Sequence, residues 1–351
     1  MTNTIHIDAG SGYDVLIGRD LLAQVGERTR RALPKTARIA VFTDTTVQPL
    51  YGDAVERSLR EAGFETCCFV FPAGERSKNL ATVGRFLDFM SEHRLTRRDA
   101  VLVLGGGVAG DMGGFAASIY LRGIPFVQVP TTLLAAVDSS VGGKTGVDTA
   151  YGKNLTGTFW QPSLVVCDTG TFDSLGVDQV LDGTAEIIKT AAIRDADLFE
   201  RLEAGALKAD PEAVIARCVE IKGEVVASDE KESGLRRILN FGHTLGHAIE
   251  LKKDYGISHG RAVAIGMLLV TAATRKNGWT ESGIYERLLS LISSSGFAVE
   301  TDVPLEDLCE AARSDKKSEG DSIHIIYLQT IGSCADRTVR FDALYDFLKS
   351  E

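Results

Sequence analysis

The sequence predicts an α/β N-terminal Rossmann-like domain over residues 1–177, followed by a mainly α-helical C-terminal domain over residues 178–351. Three observations carry that expectation. At 351 residues the chain is longer than one ordinary small core encloses. Before about residue 175, short β-rich runs alternate with helical patterns, the mark of a mainly parallel sheet covered on both faces. After residue 177 the strand signal fades into long stretches rich in alanine, leucine and glutamate.

The first clear strand is Arg38-Ile39-Ala40-Val41-Phe42, and an amphipathic helix follows over 53–62. Strand-like runs recur at Cys67 to Phe71, Val101 to Leu104, Pro125 to Val129 and Leu164 to Cys167, with a second helix over 80–92. In the C-terminal half, Leu181, Ala185, Ile188 and Ala192 form an apolar stripe at helical spacing. Only Ile323 to Leu328 reads as a strand there. Neither a repeat nor a low-complexity linker interrupts the chain.

Composition narrows the function classes. A hydrophobic content of 44% and a charged content of 25% are those of a soluble globular protein. The net charge of -10 argues against a nucleic acid or an anionic membrane as partner, since long-range repulsion opposes both. Adjacent Cys67 and Cys68 and the scattered Cys167, Cys218, Cys309 and Cys334 include no C-x-x-C pair, so a thiolate metal site is not expected. Residues 1–12 lack a basic-then-apolar signal pattern, and no apolar run reaches membrane-spanning length; a cytoplasmic protein is expected.

Chemistry-bearing residues fall into a few clusters. Val101 to Leu104 run into Gly105, Gly107 and Gly110, which fit G-x-G-x-x-G. Glycine lets a backbone approach a pyrophosphate, and the following helix N-terminus favours its charge. The acidic residue usual about 20 positions later is missing. Asp44, at the end of the first strand, is the candidate for the ribose instead. Gly142-Gly143-Lys144-Thr145 has Asp138 where a P-loop needs glycine, which excludes a nucleotide triphosphatase of that type. The segment reads instead as a loop where backbone amides and Lys144 meet an anion, continued by Gly152-Lys153-Asn154.

Half of the six histidines lie between His243 and His259. His243 and His247 are four residues apart, so a helix puts them on one face, and spacing alone makes them a metal pair with His259 as third ligand. A carboxylate could complete or replace one of the three. A purely structural metal is the alternative. Glu186 and Lys189 also share a helix face, although an isolated pair at that spacing is most often a solvated surface ion pair.

Taken in order, these segments resemble the 3-dehydroquinate synthase family of sugar phosphate cyclases over essentially the whole chain. The matching runs are Pro72-Ala73-Gly74-Glu75-Arg76-Ser77-Lys78, Gly105 to Asp111, Pro130 to Leu134, Asp138 to Thr145 and Gly152-Lys153-Asn154. They continue through Ala185-Glu186-Ile187-Ile188-Lys189, Gly234-Leu235-Arg236, Asn240 to His247 and His259-Gly260. The resemblance implies tightly held NAD and one divalent metal, zinc or alternatively cobalt, bound by Glu186, His243 and His259. His247 then leaves the metal set and sits beside the substrate.

The implied reaction converts 3-deoxy-D-arabino-heptulosonate 7-phosphate into 3-dehydroquinate and phosphate. A transient oxidation by NAD, phosphate elimination, re-reduction and an intramolecular aldol closure leave no net redox change. By position in the family motifs, Asp138, Lys144, Asn154, Lys189, Lys222, Arg236, Asn240, His247 and Lys316 line the substrate site, with Lys317 as the alternative to Lys316. Arg122 resembles an arginine that reaches the neighbouring subunit of a homodimer. Cofactor contacts fall to Asp44, Glu75, Lys78, Gly106, Gly107, Val108, Asp111, Thr131, Thr132, Lys144, Lys153, Thr171 and Ser174.

Two departures from the family pattern stand in the chain: Arg261 where an acidic residue often follows the His-Gly pair, and Gly176 where proline is common. The rivals are a cyclase of sedoheptulose 7-phosphate, a metal-dependent alcohol dehydrogenase, and a binding protein that has lost turnover. A dehydrogenase would release net NADH; the non-catalytic reading would call for a missing ligand or site lysine.

Overall fold

The computed structural model describes residues 2–313, 318–319 and 321–349. The chain divides into two compact units, Met1–Leu175 with Lys222–Lys231, and Gly176–Ile221 with Glu232–Glu351. Sequence reading suggests a single cut after residue 177. The ten-residue return of 222–231 to the first unit carries no signal in composition.

The first unit is built on β1 (Asn3–Ile7), β2 (Tyr13–Gly18), β3 (Arg38–Asp44), β4 (Glu65–Phe71), β5 (Ala100–Gly105), β6 (Phe126–Pro130), β7 (Lys144–Thr149), β8 (Gly152–Phe159) and β9 (Leu164–Asp168). Seven of these form one sheet in the order β1-β2-β9-β6-β5-β3-β4, parallel except for the β1–β2 pair. Alternate side chains of one strand feed opposite cores, as pleating requires. Ala40 and Phe42 of β3 join Val101 and Val103 of β5 on one face, while Ile39 and Val41 join Leu102 and Leu104 on the other. Burial on both faces explains why β5 and β9 are unbroken apolar runs rather than alternating ones.

Helices α1 (Val25–Ala32) and α2 (Asp53–Glu61) cover the second face, and α3 (Leu80–Glu92) and α4 (Gly107–Ile119) the first. Helix α4 lies close against β5 of the sheet and against β7 of the β7–β8 pair. A Cβ on Gly113 would fall 2.5 Å from Val103 Cγ2, and one on Gly114 2.6 Å from Thr145 Cγ2. Gly142 and Gly143 turn the chain with positive φ, and the part of the expected loop from Lys144 onward is the antiparallel β7–β8 hairpin. Glycine and threonine dominate it, so it lacks the apolar alternation by which strands are read. The β1–β2 pair was not read from the sequence, although Ile5 and Ile7 alternate with exposed residues in β1 and β2 is buried at every position but Asp14.

The second unit is mainly helical: α5 (Val177–Arg194), α6 (Ala196–Glu203), α7 (Ala206–Ala209), α8 (Pro211–Ser228, whose residues from Lys222 belong to the first unit), α9 (His243–Lys252), α10 (His259–Lys276), α11 (Ile284–Ser294), α12 (Leu305–Arg313) and α13 (Leu344–Leu348). The strand expected over 323–328 becomes β11 (Ser322–Thr330) of a small antiparallel sheet with β10 (Ser318–Glu319) and β12 (Ser333–Arg340). Among the described residues no helix is long and apolar enough to cross a membrane.

Candidate active site and metal centre

In the first unit the predicted cofactor residues gather along the carboxyl edge of the sheet, where open parallel sheets bind ligands. Strand β5 ends at Gly105, and Gly106 caps α4 with no side chain in the way. A Cβ on Gly106 would sit 3.0 Å from Thr132 Cγ2, and one on Gly107 3.1 Å from Ser139 Oγ, so only glycine leaves this cradle open. Asp44 ends the neighbouring β3. Its Oδ1 accepts the N–H groups of Thr46 (2.8 Å) and Val47 (3.0 Å), while Oδ2 faces the glycine turn, 3.6 Å from where a Gly105 Cβ would lie.

Thr131 and Thr132 follow β6. Thr132 Oγ1 accepts from the N–H of Ala135 at 3.2 Å, whereas the buried hydroxyls of Thr131 and Ser139 have no hydrogen-bond partner. Two orphaned buried hydroxyls beside an open glycine turn fit a polar occupant such as a dinucleotide pyrophosphate, because an unmet buried polar group is costly. At the end of β9, the Thr171 hydroxyl donates to the Asp168 carbonyl at 2.8 Å and Ser174 donates to the Thr171 carbonyl at 3.0 Å. Tyr51 reaches Ser174 Oγ at 2.7 Å, a contact that no sequence motif marks.

A charged network stands beside this edge. Lys78 is buried, 2.7 Å from Asp111 and 2.5 Å from Asn154 Oδ1, and Lys153 lies 3.8 Å from Glu75. Burial works to lower the Lys78 ammonium, but Asp111 and Glu75 outweigh it and hold it above its ordinary value. Asp148, which the motifs do not single out, accepts the Asn154 N–H at 2.8 Å and so supports that residue's left-handed backbone. Lys222 is buried and pairs with Asp138 at 2.5 Å. Lys144 is exposed at the start of β7, and Val108 lies in the first turn of α4. Arg122 is exposed in a turn where Leu121 and Arg122 both take positive φ, 50° and 68°.

The second unit holds the histidine cluster. Helix α5 is buried from Gly183 to Ile193, and Glu186 and Lys189 are only 1% and 2% exposed. They are therefore not a solvated surface pair: the Lys189 ammonium contacts the Glu186 carboxylate inside the core. Glu186 Oε1 lies 3.5 Å from His243 Nε2 and 3.5 Å from His259 Nε2. Ligand atoms of Glu186, His243 and His259 all fall within 4.8 Å of one another. One carboxylate and two imidazoles fit a borderline divalent ion and leave positions open for other ligands. His243 and His247 do share a face, with ring centroids 5.5 Å apart, but His247 falls in a second, overlapping group with Glu250 and His259. The spacing-based pairing of His243 with His247 thus gives way to a set completed from α5.

Close helix contact brings these groups together. On α10, a Cβ at Gly266 would be 2.1 Å from the Gly242 carbonyl oxygen, and Gly246 of α9 rests on the backbone of Val263. Asp182, one turn before Glu186, accepts the Gly260 N–H at 2.7 Å and fixes the first turn of α10 beside His259. Arg261, one departure from the family pattern, pairs with Asp178 at 2.9 Å. At Gly176 the N–H donates to Gln179 Oε1 at 2.8 Å, a link that proline would lack. Arg236 is buried on the turn of 3-10 helix over Leu235–Asn240, and Asn240 donates to Glu232 at 2.9 Å. Lys316 and its alternative Lys317 lie outside the described residues.

Burial would lower the His259 imidazole, but hydrogen bonds to Glu186 and Glu250 outweigh it and raise it to about 10. The metal-free cluster then carries a proton on His259 at neutral pH, which an ion taking that nitrogen displaces. Affinity for a divalent ion is expected to rise about tenfold per pH unit between about pH 6 and 9. Calorimetry in buffers of different ionisation enthalpy should show about one proton released per ion near neutrality. Release of none would contradict this protonation state.

Solved structures that share this fold at 25% identity or more include sugar phosphate cyclases. Among solved structures the chain is similar to 2-deoxy-scyllo-inosose synthase complexed with carbaglucose-6-phosphate, NAD+ and Co2+, with TM-score 0.88 and 25% identity over 98% of this chain and 100% of that one. It is also similar to 2-epi-5-epi-valiolone synthase from Streptomyces hygroscopicus with NAD+ and Zn2+ bound, with TM-score 0.86 and 29% identity over 96% and 95% of the two chains. Residues 68–182 match the family model for the 3-dehydroquinate synthase N-terminal part and residues 183–318 that for the C-terminal part. The 3-dehydroquinate synthase of Enterococcus faecalis is 45% identical over 345 residues, 97% of this chain and 96% of that protein. The chain belongs to the 3-dehydroquinate synthase family.

Proposed function

We infer that this chain catalyses the family's reaction, converting 3-deoxy-D-arabino-heptulosonate 7-phosphate into 3-dehydroquinate and phosphate with NAD and one divalent metal, zinc or cobalt. The observation that most supports it in the molecule is the convergence of Glu186, His243 and His259, a donor set no missing ligand compromises. Glu186, His243 and His259 would hold the metal; the glycine turn at Gly105–Val108, with Asp44, Glu75, Lys78, Asp111, Thr131, Thr132, Lys144, Lys153, Thr171 and Ser174, would hold NAD. Bound there, NAD supplies a reversible hydride acceptor and the metal a Lewis acid for substrate hydroxyls.

The chain's own residues bind and orient. Arg236 offers the planar fork that pairs with a carboxylate through two parallel hydrogen bonds. Asp138, Lys144, Asn154, Lys189, Lys222, Asn240 and His247 are proposed to meet substrate hydroxyls and phosphate. The anionic substrate explains why cations are concentrated at these positions in an acidic chain. The leaving phosphate is itself a plausible base for its own elimination, so orientation is the larger task of the protein.

We also propose a homodimer in which Arg122 reaches the partner's site, supported by its exposure and the exposed Ile119 and Leu121 beside it. A cytoplasmic location is supported by six cysteines outside any disulfide.

The deciding experiment incubates metal-loaded protein with NAD and the heptulosonate phosphate and follows phosphate, NADH and carbocycle together. Equal phosphate and 3-dehydroquinate without net NADH is the expected result. Turnover of sedoheptulose 7-phosphate instead would overturn the substrate, and net NADH would indicate a dehydrogenase. Arg236→Lys keeps the charge but loses the fork, and is expected to lower kcat/KM by about 10- to 100-fold, mainly through KM. Unchanged steady-state constants would remove Arg236 from carboxylate recognition.

A further inference from the structure

Glu250 takes no part in the roles above, yet it lies in the interior on α9, only 3% exposed, one turn past His247. A carboxylate is costly in such surroundings unless it is engaged. Its Oε2 lies 3.3 Å from Nδ1 of His259, while the opposite ring nitrogen, Nε2, lies 3.5 Å from Glu186 Oε1. One imidazole is therefore strung between two buried carboxylates, each facing a different nitrogen. We propose that Glu250 is a positioning residue for the metal centre, accepting from Nδ1–H of His259 so that Nε2 is presented beside Glu186 as the ligand atom. This rests on the metal reading of Glu186, His243 and His259.

The physical consequence follows from the two-sided chemistry of imidazole. An ion on Nε2 requires the tautomer with its proton on Nδ1, and a carboxylate at Nδ1 stabilises that tautomer, fixes the ring plane and raises the basicity of the ligating nitrogen. His243 is served differently, its Nδ1 lying 3.2 Å from the Phe241 carbonyl, a neutral acceptor. The two histidine ligands thus have unequal outer partners, one neutral and one anionic. Glu250 could have been suspected from sequence only through its i, i+3 spacing from His247.

The test uses the full-length protein and zinc alone as probe. Competition against a chromophoric chelator gives the affinity of the wild type and of Glu186→Gln, His243→Ala, Glu250→Gln and Glu250→Leu. Nitrogen NMR of the zinc-loaded wild type reads the His259 tautomer without any substitution. Expected are Nε2 ligation with Nδ1 protonated, a loss of zinc affinity of about 10- to 100-fold in Glu250→Leu, and a smaller loss in Glu250→Gln, whose amide oxygen still accepts. A merely structural Glu250 would lower Tm and leave both the tautomer and the affinity of the folded protein unchanged, which would overturn the proposal while Glu186→Gln and His243→Ala still lost zinc. Wild-type zinc binding in Glu186→Gln and His243→Ala would instead overturn the metal reading itself. Loss of zinc in Glu250→Leu but not in His243→Ala, or ligation through Nδ1, would place the ion in the His247–Glu250–His259 group and defeat both.

Discussion

Glu186→Gln is expected to strip the protein of its metal and to cut turnover by at least about a thousandfold, the rate equivalent of several kcal/mol of Lewis-acid stabilisation. The substitution keeps the shape of the side chain and removes only the charge. Glu186 is the one anionic donor of the proposed set, and His243 Nε2 and His259 Nε2 both lie 3.5 Å from the same oxygen, so its loss removes the group on which the two imidazoles converge. Elemental analysis of bound metal and phosphate release on the heptulosonate phosphate check the two halves of the expectation. Full metal content with lost turnover would move Glu186 from ligand to some other task. Because the Lys189 ammonium loses its carboxylate partner in the core, circular dichroism should accompany both measurements so that misfolding is not read as lost binding.

The second large effect is expected far from any ligand atom. Gly266→Ala places a Cβ 2.1 Å from the Gly242 carbonyl oxygen and within contact of the Gly246 nitrogen, so α9 and α10 must move apart. Backbone cannot yield as a side-chain tip can, and a cost of about 1–3 kcal/mol or more follows. His243 starts α9 and His259 starts α10, with ring centroids 5.2 Å apart, so the same displacement should weaken metal binding. Gly84→Ala is the matched control. It too is a helical glycine, but a Cβ there meets nothing within 4 Å, and alanine should be neutral or stabilising by up to about 1 kcal/mol. Equal stability and metal affinity in the two variants would refute the view that the glycine crossing sets the histidine geometry.

The strands that positioned the cofactor edge were legible because they are buried on both faces. Val101 to Leu104 and Leu164 to Cys167 are continuous apolar runs bounded by glycine or aspartate, and periodicity needs nothing more. The β7–β8 hairpin was not legible, since Gly146, Gly152, Asn154 and Gly157 carry turn-like chemistry in strand positions. Glu186 and Lys189 were visible as a pair, but their burial was not: spacing is identical for a solvated ion pair and a core one. Histidine spacing pointed to a metal and paired His243 with His247, whereas the ligand atoms that cluster with His243 are those of Glu186 and His259, because an i, i+4 rule sees one helix and this group draws on three.

By itself the sequence determined the fold class, the family and the residue types available for chemistry, since local periodicity and ordered motifs are properties of the chain read in one dimension. Tertiary structure alone decided which of those residues meet. The ends of β3, β5, β6 and β9 become neighbours only through the strand order, which lines up Asp44, Gly105, Thr131 and Thr171 along one edge. Glu186 joins His243 and His259, and Glu250 reaches the far side of the His259 ring, only because glycines let α9 and α10 touch while Asp182 of α5 ties down the start of α10. Those distances are set by packing between elements far apart in the chain, and close packing has no signature in local spacing.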